Sequence, residues 1–134
     1  MTDKIGRTVL VVDDDEDIVS LVSFVLEEQG YVVVTAADGT AALGALETGS
    51  PGLILLDLRM PGMNGWEFAT QARRQYGSQV AIVVMTAGDD GVRSAKEIQA
   101  DGSLSKPFDI DDLVITVRKY GRFSDVDLQN VTSA

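Results

Sequence analysis

The sequence contains no cysteine and no histidine, and its 134 residues include only three prolines and one tryptophan. Without cysteine the chain has neither disulfides nor thiolate metal sites. Without histidine it has neither an imidazole metal site nor a Ser-His-Asp triad. No apolar run approaches the roughly 20 residues of a membrane span, and the N-terminal stretch MTDKIGRT has no signal-peptide core. We therefore expect a cytoplasmic protein.

Positive charge is also scarce. The chain has 11 Lys and Arg residues against 21 Asp and Glu residues, a formal net charge of −10. Because a nucleic-acid-binding surface needs a basic patch, this balance argues against direct binding of nucleic acid. The length and the 45% content of hydrophobic residues are those of one soluble globular domain with a core of its own.

Five short apolar runs alternate with segments of helical period. The runs are TVLVV (8–12), YVVVTA (31–36), LILL (53–56), VAIVVM (80–85) and the weaker SLS (103–105). The first four are rich in Val and Ile and mostly unalternating, which suits parallel strands buried on both faces.

The segments between the runs carry apolar residues at helical spacing. The predicted apolar faces are Ile18, Leu21, Val22, Val25 and Leu26; Leu43 and Leu46; Phe68, Ala69, Ala72 and Tyr76; Val92, Ala95 and Ile98; and Ile110, Leu113, Val114 and Val117. The face around 90–100 is the poorest, so we expect that helix to be the loosest. The alternation predicts a doubly wound, five-stranded parallel sheet with helices on both faces. In such folds the ligand site lies beyond the carboxyl ends of the strands, at the topological switch point.

Polar residues follow four of the runs where the strands end: DDDED (13–17), Asp57, Thr86 and the pair Lys106-Pro107. A helix cap and the acids of the first helical turn account for part of the first cluster. They do not explain why Asp57 lies in the same corner, because like charges repel and raise each other's pKa. Bound Mg²⁺ removes that conflict, because it takes one or two carboxylates and leaves room for a phosphoryl group. A hydroxyl from Thr86 and the charge of Lys106 complete a phosphoryl-binding set.

Four motifs resemble those of the response-regulator receiver domains of two-component signalling. They are VLVVDDDEDI (9–18), LILLDLRMPGMNGWE (53–67), VVMTAGD (83–89) and SLSKPF (103–108). They stand in the family's order and spacing, and the resemblance covers roughly residues 6–120. It implies a flavodoxin-like (βα)5 fold.

The resemblance also implies the roles of the acids. Asp57 would be the phosphoacceptor and would share a Mg²⁺ ion with Asp13, Asp14 and the backbone carbonyl of Arg59. Asp14 would ligate the ion directly, and Asp13 mainly through water. Asp15 would instead begin the following helix.

Two further positions match the family. Thr86 resembles the switch hydroxyl, and Lys106 resembles the lysine that precedes a cis proline, here Pro107. The loop after Asp57 would be shaped by Pro61, Gly62 and Gly65. The small Ala87 would leave the phosphoryl pocket open to the donor.

Partners follow from the same resemblance. The donor would be a sensor histidine kinase or a histidine phosphotransfer protein, and an unknown downstream protein would read the phosphorylated state. The chain would not be an enzyme, since it would catalyse only its own phosphorylation and slow dephosphorylation. We expect a monomer or weak dimer with no membrane contact.

The resemblance also predicts the domain organisation. Residues 1–120 would form the receiver domain, and residues 121–134 would form a polar tail without an output domain. The chain would be either a stand-alone receiver or a fragment of a longer chain.

One position departs from the pattern. Three residues before Lys106, where many receivers carry Tyr or Phe, this chain has Ser103. That aromatic usually swings inward when the threonine moves towards the phosphate. Ser103 therefore leaves the phosphorylation chemistry intact but predicts a weaker switch at the face formed by the last two helices.

Three other functions stay open from the residues. A phosphotransfer intermediate or phosphate sink would use the same site. A flavodoxin-like cofactor binder would need a Ser/Thr/Gly-rich loop after the first strand, where three aspartates, 13–15, would repel a phosphate. A Mg²⁺-dependent phosphohydrolase with an aspartyl nucleophile usually carries a second acid two residues on, and here that residue is Arg59.

Overall fold

A computed structural model of the chain describes residues 7–60, 62–87 and 91–123. Strands and helices alternate throughout this part. In chain order the elements are β1 (Thr8–Val12), α1 (Glu16–Glu28), β2 (Val32–Ala36), α2 (Gly39–Thr48), β3 (Leu53–Asp57), α3 (Gly65–Tyr76), a 3-10 turn (Gly77–Gln79), β4 (Ala81–Ala87), α4 (Gly91–Glu97), β5 (Gly102–Lys106) and α5 (Ile110–Tyr120). Each predicted strand and helix is therefore found within a few residues of its expected bounds.

All five strands pair in parallel, in the order β2-β1-β3-β4-β5. The chain builds the sheet outwards from its centre in both directions, so β1 and β3 lie side by side without being consecutive. This pair is the topological switch point, where the connections from neighbouring strands leave to opposite sides. The predicted doubly wound sheet is confirmed.

The three central strands are buried along almost their whole length, as their unalternating apolar runs predict. The prediction of burial on both faces is wrong for β2, where Val34 is 38% exposed and Thr35 is also exposed. Both belong to a strand at the edge of the sheet, which is covered less completely than the centre. The other edge strand, β5, buries Leu104 alone, which explains its weak sequence pattern.

The helices divide between the two faces of the sheet. Helices α1 and α5 pack on one face, and α2, α3 and α4 pack on the other. Two residues of the predicted apolar faces are exposed, namely Leu21 (42%) and Ile110 (53%). Leu21 lies beside the stripe that Val22, Val25 and Leu26 bury, and Ile110 is the first residue of α5, ahead of the turn that reaches the sheet.

Side chains of Asp and Asn begin four of the helices. Asp15, Asp38, Asn64 and Asp109 each accept a hydrogen bond from a backbone N–H in the first turn of their helix. Such caps satisfy donors that have no partner inside the helix. The predicted role of Asp15 at the start of α1 is confirmed, and so is the cap at Asp109.

Asp101, which precedes β5, joins several elements at the amino edge of the sheet. Its Oδ2 accepts from Arg73 Nη2 at 2.9 Å and from the backbone N–H of Ile82 at 2.8 Å, and its Oδ1 accepts from Arg122 Nη2 at 2.7 Å. Arg73 also donates to the carbonyls of Val80 and Gln99. One carboxylate thus connects the end of α3, the starts of β4 and β5, and the segment after α5.

Residues 121–123 continue the packed structure three residues past the predicted boundary at residue 120. The backbone N–H of Arg122 donates to the carbonyl of Gly52 at 2.9 Å, and the ring of Phe123 lies 5.1 Å from that of Tyr31. Residues 124–134 lie outside the described part, and the polar tail predicted there stays a prediction.

Within the described residues, no helix is both long enough and apolar enough to cross a membrane.

We expect Asp101→Ala to lower the free energy of unfolding by about 2 kcal/mol, because hydrogen bonds to a charged group are lost and Arg73 keeps its charge without its carboxylate. Urea unfolding measures the change. Asp111→Ala is the matched control, since Asp111 is exposed at the start of α5 and its loss should cost no more than about 0.5 kcal/mol. Equal effects of the two substitutions would contradict the central role of Asp101.

Candidate functional site

Three carboxylates meet at the carboxyl edge of the sheet, at the switch point. Asp13 and Asp14 follow β1, and Asp57 is the last residue of β3. One oxygen from each lies within 4.8 Å of the others. Asp13 is 1% exposed and Asp57 is 8% exposed, whereas Asp14 is exposed. The convergence expected from the strand ends is therefore present, with two buried carboxylates and one open to solvent.

Lys106, at the end of β5, reaches across to these carboxylates. Its Nζ donates to Asp13 Oδ2 at 2.7 Å and lies 3.7 Å from Asp57 Oδ2. Of the two buried carboxylates, Asp13 is therefore the closer partner of Lys106. The peptide bond between Lys106 and Pro107 is cis, as expected.

Backbone donors hold both buried carboxylates. The N–H of Asp15 donates to Asp13 Oδ1 at 2.9 Å, and the N–H of Arg59 donates to Asp57 Oδ1 at 3.2 Å. Burial raises the pKa of Asp57, and the neighbouring charge of Asp13 raises it further. The Arg59 N–H and the Lys106 ammonium work in the opposite direction. The described protein groups alone therefore do not fully compensate the negative charge of ionised Asp57.

Glycines shape the loop that follows Asp57. Gly62 has a φ of 71°, a left-handed conformation that favours glycine. A Cβ at Gly65 would lie 2.5 Å from the Leu58 Cα and 2.7 Å from the Asp57 carbonyl oxygen, so only glycine lets α3 start this close to the end of β3. The predicted contributions of these two glycines agree with this geometry, while Pro61 lies outside the described residues.

Thr86 extends the site along β4. Met85, the preceding residue, pairs with Asp57 in the sheet, so Thr86 stands one residue beyond the acid on the adjacent strand. Its Oγ1 is buried and has no hydrogen-bond partner in the described part of the chain. A buried hydroxyl without a partner carries a desolvation cost that an incoming acceptor would remove.

A cavity of about 210 Å³ opens beside Thr86 and Ala87. Trp66 of α3 and Arg93 and Glu97 of α4 form its other walls, together with the loop after β3. The sequence analysis missed these three residues. The signal for Trp66 is its spacing of three residues from Ala69, which places it on the inner side of α3. Nothing in the poor pattern of residues 90–100 indicated which way Arg93 and Glu97 face.

The carboxylate cluster fits a hard divalent cation. Its donors are all oxygen atoms, which Mg²⁺ prefers over nitrogen or sulfur ligands. Three carboxylates face one ammonium, so the protein leaves an excess of negative charge that a cation would neutralise. The exposed Asp14 offers an oxygen on the solvent side of the two buried acids.

Comparison with known proteins agrees with these observations. Residues 9–118 match the profile of the response regulator receiver domain. The chain is 41% identical over 105 residues to the alkaline phosphatase synthesis transcriptional regulatory protein PhoP of Bacillus subtilis. That match covers 77% of this chain and 43% of PhoP, so the chain spans less than half the length of this relative.

Solved structures show the same fold. The chemotaxis protein CheY4 of Vibrio cholerae superposes with a TM-score of 0.79 at 34% identity, covering 85% of this chain and 98% of CheY4. The receiver domain of NtrX from Brucella abortus gives a TM-score of 0.77 at 29% identity, covering 83% and 95% of the two chains. With its family profile, its doubly wound sheet and its acidic site at the switch point, the chain belongs to the response regulator receiver domains of two-component signalling.

Proposed function

We propose that this receiver domain accepts a phosphoryl group on Asp57 in a Mg²⁺-dependent reaction. The observation that carries the proposal is the placement of Asp57: a buried carboxylate at the switch point, grouped with Asp13 and Asp14 and 3.7 Å from the ammonium of Lys106. A purely structural acid would not gain from two like charges at this distance. A carboxylate that accepts a negatively charged phosphoryl group does gain, because the cluster can bind a cation and lies beside the Lys106 ammonium.

The donor is a phosphohistidine of a sensor histidine kinase or of a histidine phosphotransfer protein. An oxygen of Asp57 attacks the phosphorus, the P–N bond breaks, and the imidazole leaves with its electron pair and takes a proton from solvent. The product is an acyl phosphate on Asp57. Water later attacks the phosphorus, releases inorganic phosphate and restores the carboxylate.

Side chains around Asp57 supply the charge and the hydrogen bonds for this transfer. When bound, Mg²⁺ neutralises charge on the phosphoryl oxygens and on the attacking carboxylate. Asp14 would hold the ion directly and Asp13 mainly through water, with Asp57 and the Arg59 carbonyl as the remaining protein ligands. Lys106 contributes an ammonium, and Thr86 has an unpaired hydroxyl to donate to a phosphoryl oxygen.

Phosphorylation would then alter the contacts of the domain with a downstream protein. PhoP, by its name, is a transcriptional regulator, but only 43% of its length is matched here. For this chain we infer a cytoplasmic signalling role through protein contacts, or a step in a phosphotransfer relay. The net charge of −10 disfavours direct contact with nucleic acid by the residues of this sequence.

Phosphorylation at Asp57 is tested with acetyl phosphate and Mg²⁺. Intact mass spectrometry should show the gain of one phosphoryl group per chain, and Asp57→Asn should abolish this gain because the amide is a poor nucleophile. Removal of Mg²⁺ with EDTA should abolish it as well. Equal labelling of Asp57→Asn, or labelling in EDTA, would contradict the assignment.

The three acids after β1 should contribute unequally to Mg²⁺ binding. Asp14→Asn should weaken it most, because Asp14 is the exposed direct ligand, and Asp13→Asn should weaken it less. Asp15→Asn should matter least, since Asp15 caps α1 and asparagine caps a helix equally well. Isothermal titration calorimetry measures the order. If Asp15→Asn proved the most damaging, the acidic pair would be misassigned.

Lys106→Ala should leave Mg²⁺ binding intact or make it tighter. The substitution removes a positive charge 3.7 Å from Asp57, and that charge repels the cation. The same variant should be impaired in phosphorylation or in the change that phosphorylation causes. Lys119→Ala is a suitable control, since Lys119 is an exposed residue of the last turn of α5. Wild-type behaviour of Lys106→Ala in both assays would reduce Lys106 to a structural partner of Asp13.

A further inference from the structure

The cavity beside Thr86 adjoins the phosphoacceptor site and reaches α4. Its volume of about 210 Å³ is far above the share of about 30 Å³ that one water takes in the liquid. The space is partly open to solvent beside the exposed Arg93 and Glu97, so a neighbouring side chain can move into it without displacing backbone. Trp66 forms the α3 wall, Thr86 and Ala87 the β4 wall, and Arg93 and Glu97 the α4 wall.

Thr86 belongs both to the phosphoacceptor site and to this cavity. Its buried hydroxyl has no hydrogen-bond partner in the described part of the chain, and it stands one residue beyond the Met85–Asp57 pair. Negatively charged oxygens arriving on Asp57 would offer that hydroxyl a strong acceptor. A movement of Thr86 towards them would withdraw its side chain from the cavity wall and enlarge the space in front of Trp66.

The response that we infer for Trp66 is a rotation of its side chain. Its backbone neighbour Gly65 is fixed by a 3.1 Å hydrogen bond from its N–H to the Leu58 carbonyl and by the close approach of α3 to β3. The indole itself is half-buried and packs against the core on the α2–α3–α4 face. Because an indole gains free energy by burying more of its apolar surface, it would fill space that Thr86 vacates.

The opposite wall of the cavity is the element least able to resist such a movement. Helix α4 has seven residues, about two turns, whereas an average helix has about three. The buried apolar residues described in it and in the turn after it are Ala95 and Ile98. On β5, Ser103 pairs with Val84 and is half-buried, and its side chain is too small to follow Thr86.

We propose that Trp66 is the positioning residue that converts engagement of Thr86 into displacement of α4. The indole turns into the space left by Thr86 and repacks against the wall that carries Arg93 and Glu97. This inference rests on the proposed phosphorylation of Asp57, and it assigns the readout to the α3–α4 face of the domain. The affected surface would then include the solvent side of α4 and would leave the α1–α5 face unchanged.

Trp66 is the sole tryptophan of the chain, so its emission reports on this cavity alone. The full chain is titrated with beryllofluoride and Mg²⁺ while two signals are recorded: the resonances of bound fluoride by ¹⁹F NMR, and the emission of Trp66. In the wild type, bound fluoride and a blue shift of the emission should rise with the same midpoint. In Asp57→Asn neither signal should change.

The two signals separate the inference from the function on which it rests. Absence of bound fluoride in the wild type would overturn both. Bound fluoride with unchanged Trp66 emission would overturn the inference and leave phosphorylation standing. At saturating beryllofluoride, verified by ¹⁹F NMR, Thr86→Ala should lose the blue shift. A full shift in that variant would show that Thr86 is not the link.

Amide exchange of α4 tests the consequence of the indole movement. Binding of beryllofluoride should slow exchange in 91–98 of the wild type by about tenfold, within the usual range of coupling between two sites. Trp66→Ala should lose this effect at saturating beryllofluoride, and Trp66→Phe, which preserves a ring and is less disruptive to folding, should retain part of it. Phe24→Ala is the matched control, because Phe24 is 64% exposed on α1 and should leave the effect unchanged. An unaltered response of α4 in Trp66→Ala would overturn the proposal.

Discussion

Two carboxylates, Asp13 and Asp57, are buried at one edge of the sheet with a single ammonium between them, and the arrangement of the site follows from this crowding. Lys106 lies 2.7 Å from Asp13 and 3.7 Å from Asp57, so it compensates the charge of Asp57 less than that of Asp13. Burial raises the pKa of Asp57, the charge of Asp13 raises it further, and Lys106 only partly opposes these effects. The described protein groups alone thus leave the charge of Asp57 partly uncompensated, and a bound cation would reduce this excess.

The two edges of the sheet differ in how the charges of their carboxylates are compensated. At the amino edge, Asp101 is met by two guanidinium groups and a backbone N–H, so its charge is fully satisfied within the fold. At the carboxyl edge three carboxylates share one lysine. The first arrangement joins elements and stabilises the domain. The second keeps an excess of charge available, and this difference marks the carboxyl edge as the functional one.

The sequence was sufficient for the parts of the structure that depend on local pattern. Unalternating Val and Ile runs predicted the central strands, and the acids and glycines at strand ends predicted the site. It was insufficient where the outcome depends on which strand lies at the edge, which is why Val34 is exposed against expectation. The closer pairing of Lys106 with Asp13, and the contact of Arg122 with Asp101, each depend on distances across the fold that no local spacing encodes. Trp66 was overlooked for the same reason, since its importance comes from the cavity and not from its position in α3.

Arg122 and Phe123 are anchored at the edge of the sheet opposite the carboxylate cluster. Both pack beside residues that precede strands, Gly52 and Tyr31, and so lie at the amino edge of the sheet. The central strand β3 has five residues, so roughly 17 Å of sheet separates that anchor from Asp57. Arg122 and Phe123 thus lie on the side of the domain remote from Asp57. A ligand of the carboxylate cluster and a molecule that covers Arg122 and Phe123 would therefore contact opposite edges of the same central strands.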